Sequence, residues 1–163
     1  MSEATPQHTR LEGIGEFSGA IDAVIGRAER RLRIFDRSLE GIGFNAPGRH
    51  DVLHAFLLAR RTNRLFVVVH DTGYLQRGCP RMQMLLRQFS HAVEIRQTEP
   101  HARSVHDAFV VADDAHFVRR FHVEDSRSLL VLDDPLEAKV LNDRFEEIWE
   151  ASLPAVFATT LGL

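Results

Sequence analysis

The stretch from His106 to Asp113 carries the residue types best suited to chemistry in this chain. A histidine begins it, an aspartate ends it seven residues later, and the residues from position 108 to 112 are all apolar. An imidazole can act as a nucleophile or as a general acid and base. The apolar run predicts a buried strand, on which side chains 106 and 108 point to the same face. Ala108 therefore offers no charge beside the imidazole. The alternative for His106 is a structural role at the strand end, bonded to Asp113 or to the backbone.

A second group of polar residues also follows strand-like segments. His70 and Asp71 come directly after the apolar run at 65–69, and Asp36 and Arg37 end an earlier run. Ligands of open α/β sheets gather at the carboxyl ends of strands. We therefore predict that His70 and Asp71 bind a ligand in one crevice at this edge. The alternative is that these side chains only cap strands and stabilise turns.

Basic residues on either side of the 106–113 segment could supply the charge that Ala108 lacks. We expect Arg119 to supply a cation for a ligand and His122 to pair with His106. Arg103 and Arg120 are alternative sources of the same charge. Arginine suits such a role because its guanidinium stays protonated, although it is a poor general base.

Other catalytic patterns lack the spacing that their chemistry needs. None of the nine histidines shows a compact zinc spacing, and His50 and His54, four residues apart on a predicted helix, lack a third ligand. The glycine pairs at 13–15 and 41–43 are incomplete as phosphate loops, and no G-x-S-x-G nucleophile motif occurs. We predict neither a metal site nor a cofactor.

The elements that must position these residues can be predicted from apolar periodicity. Helical spacing occurs at 14–30, 49–61, 80–90 and 135–151, and strand-like runs occur at 31–36, 65–69, 92–97, 108–112, 116–121 and 128–132. The initial α-β-α-β-α-β order favours parallel strands joined by crossovers, whereas the three closely spaced later strands favour at least one antiparallel pair. The predicted fold class is α/β, with a mixed, largely parallel sheet flanked by helices.

The order of elements and the 106–113 segment resemble one half of the phospholipase D superfamily fold. The family signature is H-x-K-x-x-x-x-D, which His106 and Asp113 match. Phe145 and Trp149 are similar to the F-x-x-x-W pattern of the helix that closes such halves. The resemblance spans about residues 14–151. It implies that two such signatures meet, that one histidine attacks phosphorus while the other protonates the leaving oxygen, and that the lysines bind the non-bridging oxygens.

Two departures from that pattern lead to our functional prediction. Ala108 stands at the lysine position, and residues 119–122 lack the Gly-Ser pair of the family. Loss of a preorganised charge at a transition-state oxyanion costs about 10²–10³-fold in rate. His106 and Asp113 are therefore predicted to be vestigial catalytic residues in a non-catalytic, degenerate phospholipase D-like domain. Such a domain would serve as a binding or accessory domain for a phosphate-containing ligand.

The resemblance also leads to an expectation about partners, and the sequence leaves two alternative functions open. The chain has one signature, so it is expected to form a homodimer or to act beside a fused or associated enzyme domain. One alternative function is a phosphodiesterase or nuclease in which arginine replaces the lysine. Another is a nucleic-acid-binding module that uses the arginine-rich segments 27–33 and 60–64.

Length and composition set the remaining expectations. A chain of 163 residues suggests a single domain, which we divide into a disordered tail (1–12), the phospholipase D-like domain (13–152) and an apolar C-terminal arm (153–163). The net charge of −3 gives no overall attraction to nucleic acid. No apolar run approaches the length of a membrane span. Residues 1–10 are polar and carry no apolar signal core, so we expect a cytoplasmic protein. Cys79 is the only cysteine, which excludes an internal disulfide.

Overall fold

A computed structural model describes residues 4–158 as one mixed sheet with helices on both faces. The strands are β1 (Gln7–Glu12), β2 (Arg31–Asp36), β3 (Arg64–Val69), β4 (Val93–Thr98), β5 (Ala108–Ala112), β6 (His116–Arg120), β7 (Arg127–Leu132) and β8 (Ser152–Val156). The helices are α1 (Gly13–Arg27), α2 (Pro47–Ala59), α3 (Gly73–Arg77), α4 (Pro80–Gln88) and α5 (Pro135–Glu150), with a 3₁₀ turn at Pro100–Ala102.

The eight strands lie in the order β1-β7-β6-β5-β2-β3-β4-β8. Only β2–β3 and β3–β4 are parallel pairs, and the other five pairs are antiparallel. The sheet is mixed as predicted, but the expectation that it is largely parallel is wrong. Short connections after β5 turn the chain back on itself twice, and both terminal segments add antiparallel edge strands.

Both ends of the sheet differ from the sequence prediction. Residues 7–12, expected to be part of a disordered tail, form β1 and pair with β7. Most of their side chains are exposed, so main-chain hydrogen bonds define this strand without an apolar pattern. Residues 152–156, the start of the predicted apolar arm, form β8 beside β4. The rest of the arm includes residues 159–163, which lie outside the described residues.

The two faces of the sheet have separate cores. Even-numbered positions of β5, such as Ala108 and Val110, pack against the face that α1, α2 and α4 cover. Phe109 and Val111 point to the other face, which α5 covers with Phe145 and its neighbours. This alternation decides which side chains of one strand can reach one ligand.

The helices predicted from periodicity are present, with ends that shift by a few residues. At the start of α5, Asp134 caps the helix beside Pro135, because its carboxylate accepts a hydrogen bond from the Glu137 N–H at 3.2 Å. The short α3 was not predicted. In residues 4–158, no helix combines the length and the apolar character that a bilayer crossing requires.

Candidate functional site

The sheet brings four polar strand ends to one edge. Strands β2, β3 and β4 are parallel and end at Asp36, just before His70 and at Thr98, respectively. Strand β5 is antiparallel to β2, so it begins at the same edge, directly after His106 and Asp107. Residues distant in sequence therefore meet at this edge, which we call the edge site.

His106 and His122 lie together at the edge site. The Val123 N–H donates to the His106 carbonyl oxygen at 2.7 Å, and this bond brings the preceding residue, His122, against His106. Their ring centroids are 5.3 Å apart. The His–carboxylate pairs of the described chain involve other histidines, so no carboxylate orients the His106 imidazole within residues 4–158.

Ala108 and the two following arginines occupy defined faces of the sheet. Ala108 is only 1% exposed and lies directly opposite Arg120, so these two side chains share a face. Arg119 lies opposite Phe109 and points to the α5 face. Arg120 lines the cavity at the edge site, whereas Arg119 does not. The structure thus brings Arg120, the alternative cation, to this site and does not bring our first choice, Arg119.

His70 is a structural histidine whose two ring nitrogens are both used. Its Nε2 lies 2.6 Å from the Val105 carbonyl oxygen and must donate, while its Nδ1 lies 2.7 Å from the Thr98 hydroxyl and accepts. Burial lowers the pKa of His70, which favours this neutral tautomer. His70 therefore joins β3, β4 and the segment before β5 and has no free nitrogen for a ligand.

Asp71 lines a cavity of about 540 Å³ whose wall includes Val123, the residue bonded to the His106 carbonyl oxygen, but neither His106 nor His122. Its Oδ1 accepts a hydrogen bond from the Gly73 N–H at 2.7 Å, so the carboxylate also stabilises the start of α3. The cavity carries charges of both signs and a few apolar side chains; its charged members are Asp36, Arg37, Glu40, Asp71, Arg77 and Arg120. A cavity of this size lies within the range of small-molecule sites.

Asp36 forms part of the cavity wall although it is 6% exposed. Its Oδ2 accepts hydrogen bonds from the N–H groups of Ser38 and Leu39, at 3.1 and 2.7 Å. Burial raises the pKa of the Asp36 carboxyl, and the hydrogen bonds from Leu39 and Ser38 and then the charge of Arg120 oppose that rise. A buried acid and a guanidinium thus belong to the same cavity wall.

Asp107 is the second buried acid at this edge, and it points to the α5 face. Arg144 of α5 donates to both of its oxygens, from Nε at 3.0 Å and from Nη2 at 2.7 Å. Arg119 adds a third contact at 3.3 Å. Sequence reasoning missed Asp107, although strand alternation next to His106 would have placed it on the opposite face.

Asp113 lies at the opposite end of β5 from His106. Its carboxylate accepts hydrogen bonds from the N–H groups of Glu29, Arg30 and Arg31 at 2.8–3.0 Å. Its φ of 53° places it in the left-handed region at the β5–β6 turn. Asp113 closes a loop and does not meet His106.

The other candidate groups do not form comparable sites. Three arginines of the 27–33 segment contact acids: Arg27 with Asp133, Arg31 with Asp114, and Arg33 with Glu146. His50 and His54 stack on each other, with centroids 5.8 Å apart. Across residues 4–158, no three His, Cys, Asp or Glu side chains come close enough together to hold a metal ion.

Solved structures share this arrangement of strands and helices. Nuc from Salmonella typhimurium, a phospholipase D family member, matches with a TM-score of 0.66 and 15% identity, over 93% of this chain and 99% of Nuc. The archaeal chromatin protein TrmBL2 matches with a TM-score of 0.68 and 12% identity, over 91% and 54% of the two chains. Phosphatidylserine synthase from Haemophilus influenzae Rd KW20 matches with a TM-score of 0.60 and 16% identity, over 98% and 42%.

The chain thus spans nearly all of Nuc but only about half of the other two proteins. No curated protein matches it in sequence. Its strand order and helices are similar to the fold of Nuc, a phospholipase D family member. The chain itself belongs to the family described as a domain of unknown function, DUF7931, whose sequence model matches residues 14–158.

Proposed function

We propose that this chain is a phospholipase D-like binding domain that takes a phosphate-containing ligand at the edge site without catalysing phosphoryl transfer. It would act in the cytoplasm as an accessory domain, either as a homodimer or beside an enzyme domain. The resemblance to phospholipase D halves indicates a phosphate-containing ligand. The residues of the edge site favour binding of that ligand without turnover.

The observation that carries the proposal is the buried methyl group of Ala108. A lysine at this position would share its face of β5 with His106 and could place a cation at the edge site. Ala108 is 1% exposed and belongs to the core, so it contributes neither charge nor a hydrogen bond. The His106 imidazole therefore lacks, on its own strand, the cation that the family pattern uses to stabilise the charge of the transition state.

Phosphate binding requires cations and hydrogen-bond donors but no stabilised transition state. The edge site retains such groups. Arg37, Arg77 and Arg120 line the cavity, and guanidinium groups form charge-assisted hydrogen bonds with phosphate oxygens. His106 and His122 stand next to each other and are exposed. The cavity has as many acids as arginines, so the proposal rests on the placement of the guanidinium groups and not on a net positive charge.

The proposal is tested by measuring turnover and binding on the same preparations. Wild type, His106→Ala and the control His91→Ala, an exposed histidine at the other end of β4, are assayed with bis(4-nitrophenyl) phosphate and titrated with inorganic phosphate by calorimetry. We expect no turnover above buffer for any of them, and weaker phosphate binding for His106→Ala only. Turnover that His106→Ala abolishes would overturn the non-catalytic assignment, and equal phosphate binding by all three would overturn the site.

A phosphodiesterase is the second candidate, and the pairing of Ala108 with Arg120 favours it. A cation from the neighbouring strand could replace the missing lysine, because directly opposed side chains lie about 5 Å apart at Cβ. This reading also requires a second signature from another copy or another chain. It predicts turnover that both His106→Ala and Arg120→Met remove.

A nucleic-acid-binding module is supported less well by the charge distribution. TrmBL2 is described as showing a mode of DNA binding, and its fold is shared. In this chain, however, much of the 27–33 arginine segment is paired with acids, and the net charge is −3. Affinity for DNA that falls steeply with salt would favour this alternative.

A further inference from the structure

Asp107 connects the edge site to α5 through buried charge. Its side chain is 4% exposed and receives three hydrogen bonds, two from Arg144 and one from Arg119. The paired contact from Arg144 fixes both distance and orientation, because a guanidinium and a carboxylate meet edge to edge. Three elements, β5, β6 and α5, are thereby joined immediately after His106.

His106 has few other constraints. Its carbonyl oxygen is held by the Val123 N–H at 2.7 Å, and its ring faces His122 without a carboxylate partner in residues 4–158. The imidazole position therefore depends on the backbone at residues 106 and 107. That backbone is held on one side by the loop bearing His122 and on the other by the Asp107 carboxylate.

We propose that Arg144 is a positioning residue for the edge site: through Asp107 it holds His106 opposite His122 and so sets the affinity for phosphate. The inference rests on the proposed function for its ligand, but the position of the imidazole can be measured without a ligand. Arg144 lies on α5, on the other face of the sheet from the cavity, so it acts on the ligand only through Asp107.

The test compares Arg144→Met with Lys139→Met, which removes an exposed cation from the same helix. The readouts are the ¹H–¹³C spectrum of the His106 imidazole at one fixed pH and the dissociation constant for inorganic phosphate. For Arg144→Met we expect a displaced His106 signal and phosphate binding about ten-fold weaker. Lys139→Met should match wild type in both.

Two further variants keep the test decisive if Arg144→Met folds poorly. In Asp107→Asn/Arg144→Met the buried ion pair is replaced by uncharged groups of similar size, so no unpaired carboxylate is left. It should still displace the His106 signal. Arg144→Lys keeps the charge but loses the two-point contact, and it should recover only part of the wild-type signal position and affinity.

The outcomes separate this inference from the proposed function. If wild type binds phosphate and folded Arg144→Met shows unchanged His106 signals and affinity, Arg144 has only a structural role and the inference is wrong. If wild type does not bind phosphate, the proposed function fails. In that case a displaced His106 signal would still support the positioning role, and an unchanged one would overturn it as well.

Discussion

Arg120 lies directly opposite Ala108 in the antiparallel pair of β5 and β6, and both side chains face the α1 side of the sheet. Arg120 lines the edge cavity, and its Nε donates to the Asp125 carbonyl oxygen at 2.9 Å, while the Ala108 methyl group stays in the core. The cation at this site therefore comes from β6 and not from β5, the strand that follows His106. A cation displaced by one strand can still hold an anion, but it approaches that anion from a different direction.

Replacing Arg120 with methionine should weaken phosphate binding about ten-fold or more, because a charge-assisted hydrogen bond contributes about 1.5–3 kcal/mol. Methionine keeps much of the side-chain length, so the local packing over Phe17 should survive. Isothermal calorimetry with inorganic phosphate measures the effect. Arg61→Met, which removes an exposed arginine outside the cavity, is the matched control. Equal losses in both variants would mean that overall charge, and not Arg120, determines binding.

Asp113 should matter for stability and not for binding. Asp113→Ala removes the acceptor of three backbone hydrogen bonds and places alanine at a positive φ, so we expect a loss of about 2 kcal/mol in the free energy of unfolding. Urea titration measures this loss. Asp114→Ala, which removes an exposed carboxylate 3.6 Å from Arg31, should change stability by less than about 0.5 kcal/mol. A loss of phosphate affinity in Asp113→Ala with unchanged stability would contradict this assignment.

The central strands and the long helices could be predicted because burial imposes a period on their sequences. The two edge strands could not. β1 exposes most of its side chains, and β8 combines exposed and half-buried positions around Pro154. Their order comes from hydrogen bonds to β7 and β4, which are contacts that no local pattern encodes.

The candidate site could be predicted in its location more than in its detail. Strand ends predicted a crevice with His70 and Asp71, and the pairing of His106 with His122 was a separate expectation. Only the antiparallel pairing of β5 with β2 brings the two groups to one edge. The choice between Arg119 and Arg120 depends on the register of the β5–β6 hairpin, in which Ala112 pairs with His116. A shift of one residue would exchange the faces of the two arginines, and the sequence alone does not fix that register.

Acidification should destabilise the protein through His70. Burial lowers the pKa of His70, so the unfolded chain binds a proton more readily than the folded chain. The stabilisation from the neutral imidazole is therefore complete above the unfolded pKa of about 6.5 and is lost as the pH falls below it. Urea unfolding from about pH 7.5 down to about pH 5 should show a falling free energy of unfolding.

The His70→Asn variant should show a shallower fall over that pH range, and His91→Asn should retain the wild-type slope. Some decline should persist in His70→Asn, because burial also lowers the pKa of His116. A wild-type stability that stays constant or rises on acidification in this range would refute the prediction. If His70→Asn and His91→Asn both keep the wild-type slope, groups other than His70 cause the fall in the free energy of unfolding.

Asp36→Asn should stabilise the protein at neutral pH and tighten phosphate binding. Burial raises the pKa of the Asp36 carboxyl, so folding favours its protonated form, and the ionised form costs stability above the unfolded pKa of about 3.9. Asparagine can accept the same hydrogen bonds from Ser38 and Leu39 without the charge. We expect a gain on the order of 1 kcal/mol at pH 7 that disappears toward pH 4, measured by urea unfolding. Removing an anion from the cavity wall should also lower the phosphate dissociation constant several-fold.

Asp36→Ala provides the control, because it removes the same charge and also the acceptor. It should lower the free energy of unfolding by about 1–2 kcal/mol, since two buried or half-buried N–H groups lose their partner. If alanine and asparagine both destabilise the protein equally at pH 7, the charge itself stabilises the fold through Arg120. In that case the cavity wall is a structural ion pair, and phosphate would have to compete with Asp36 for the Arg120 guanidinium.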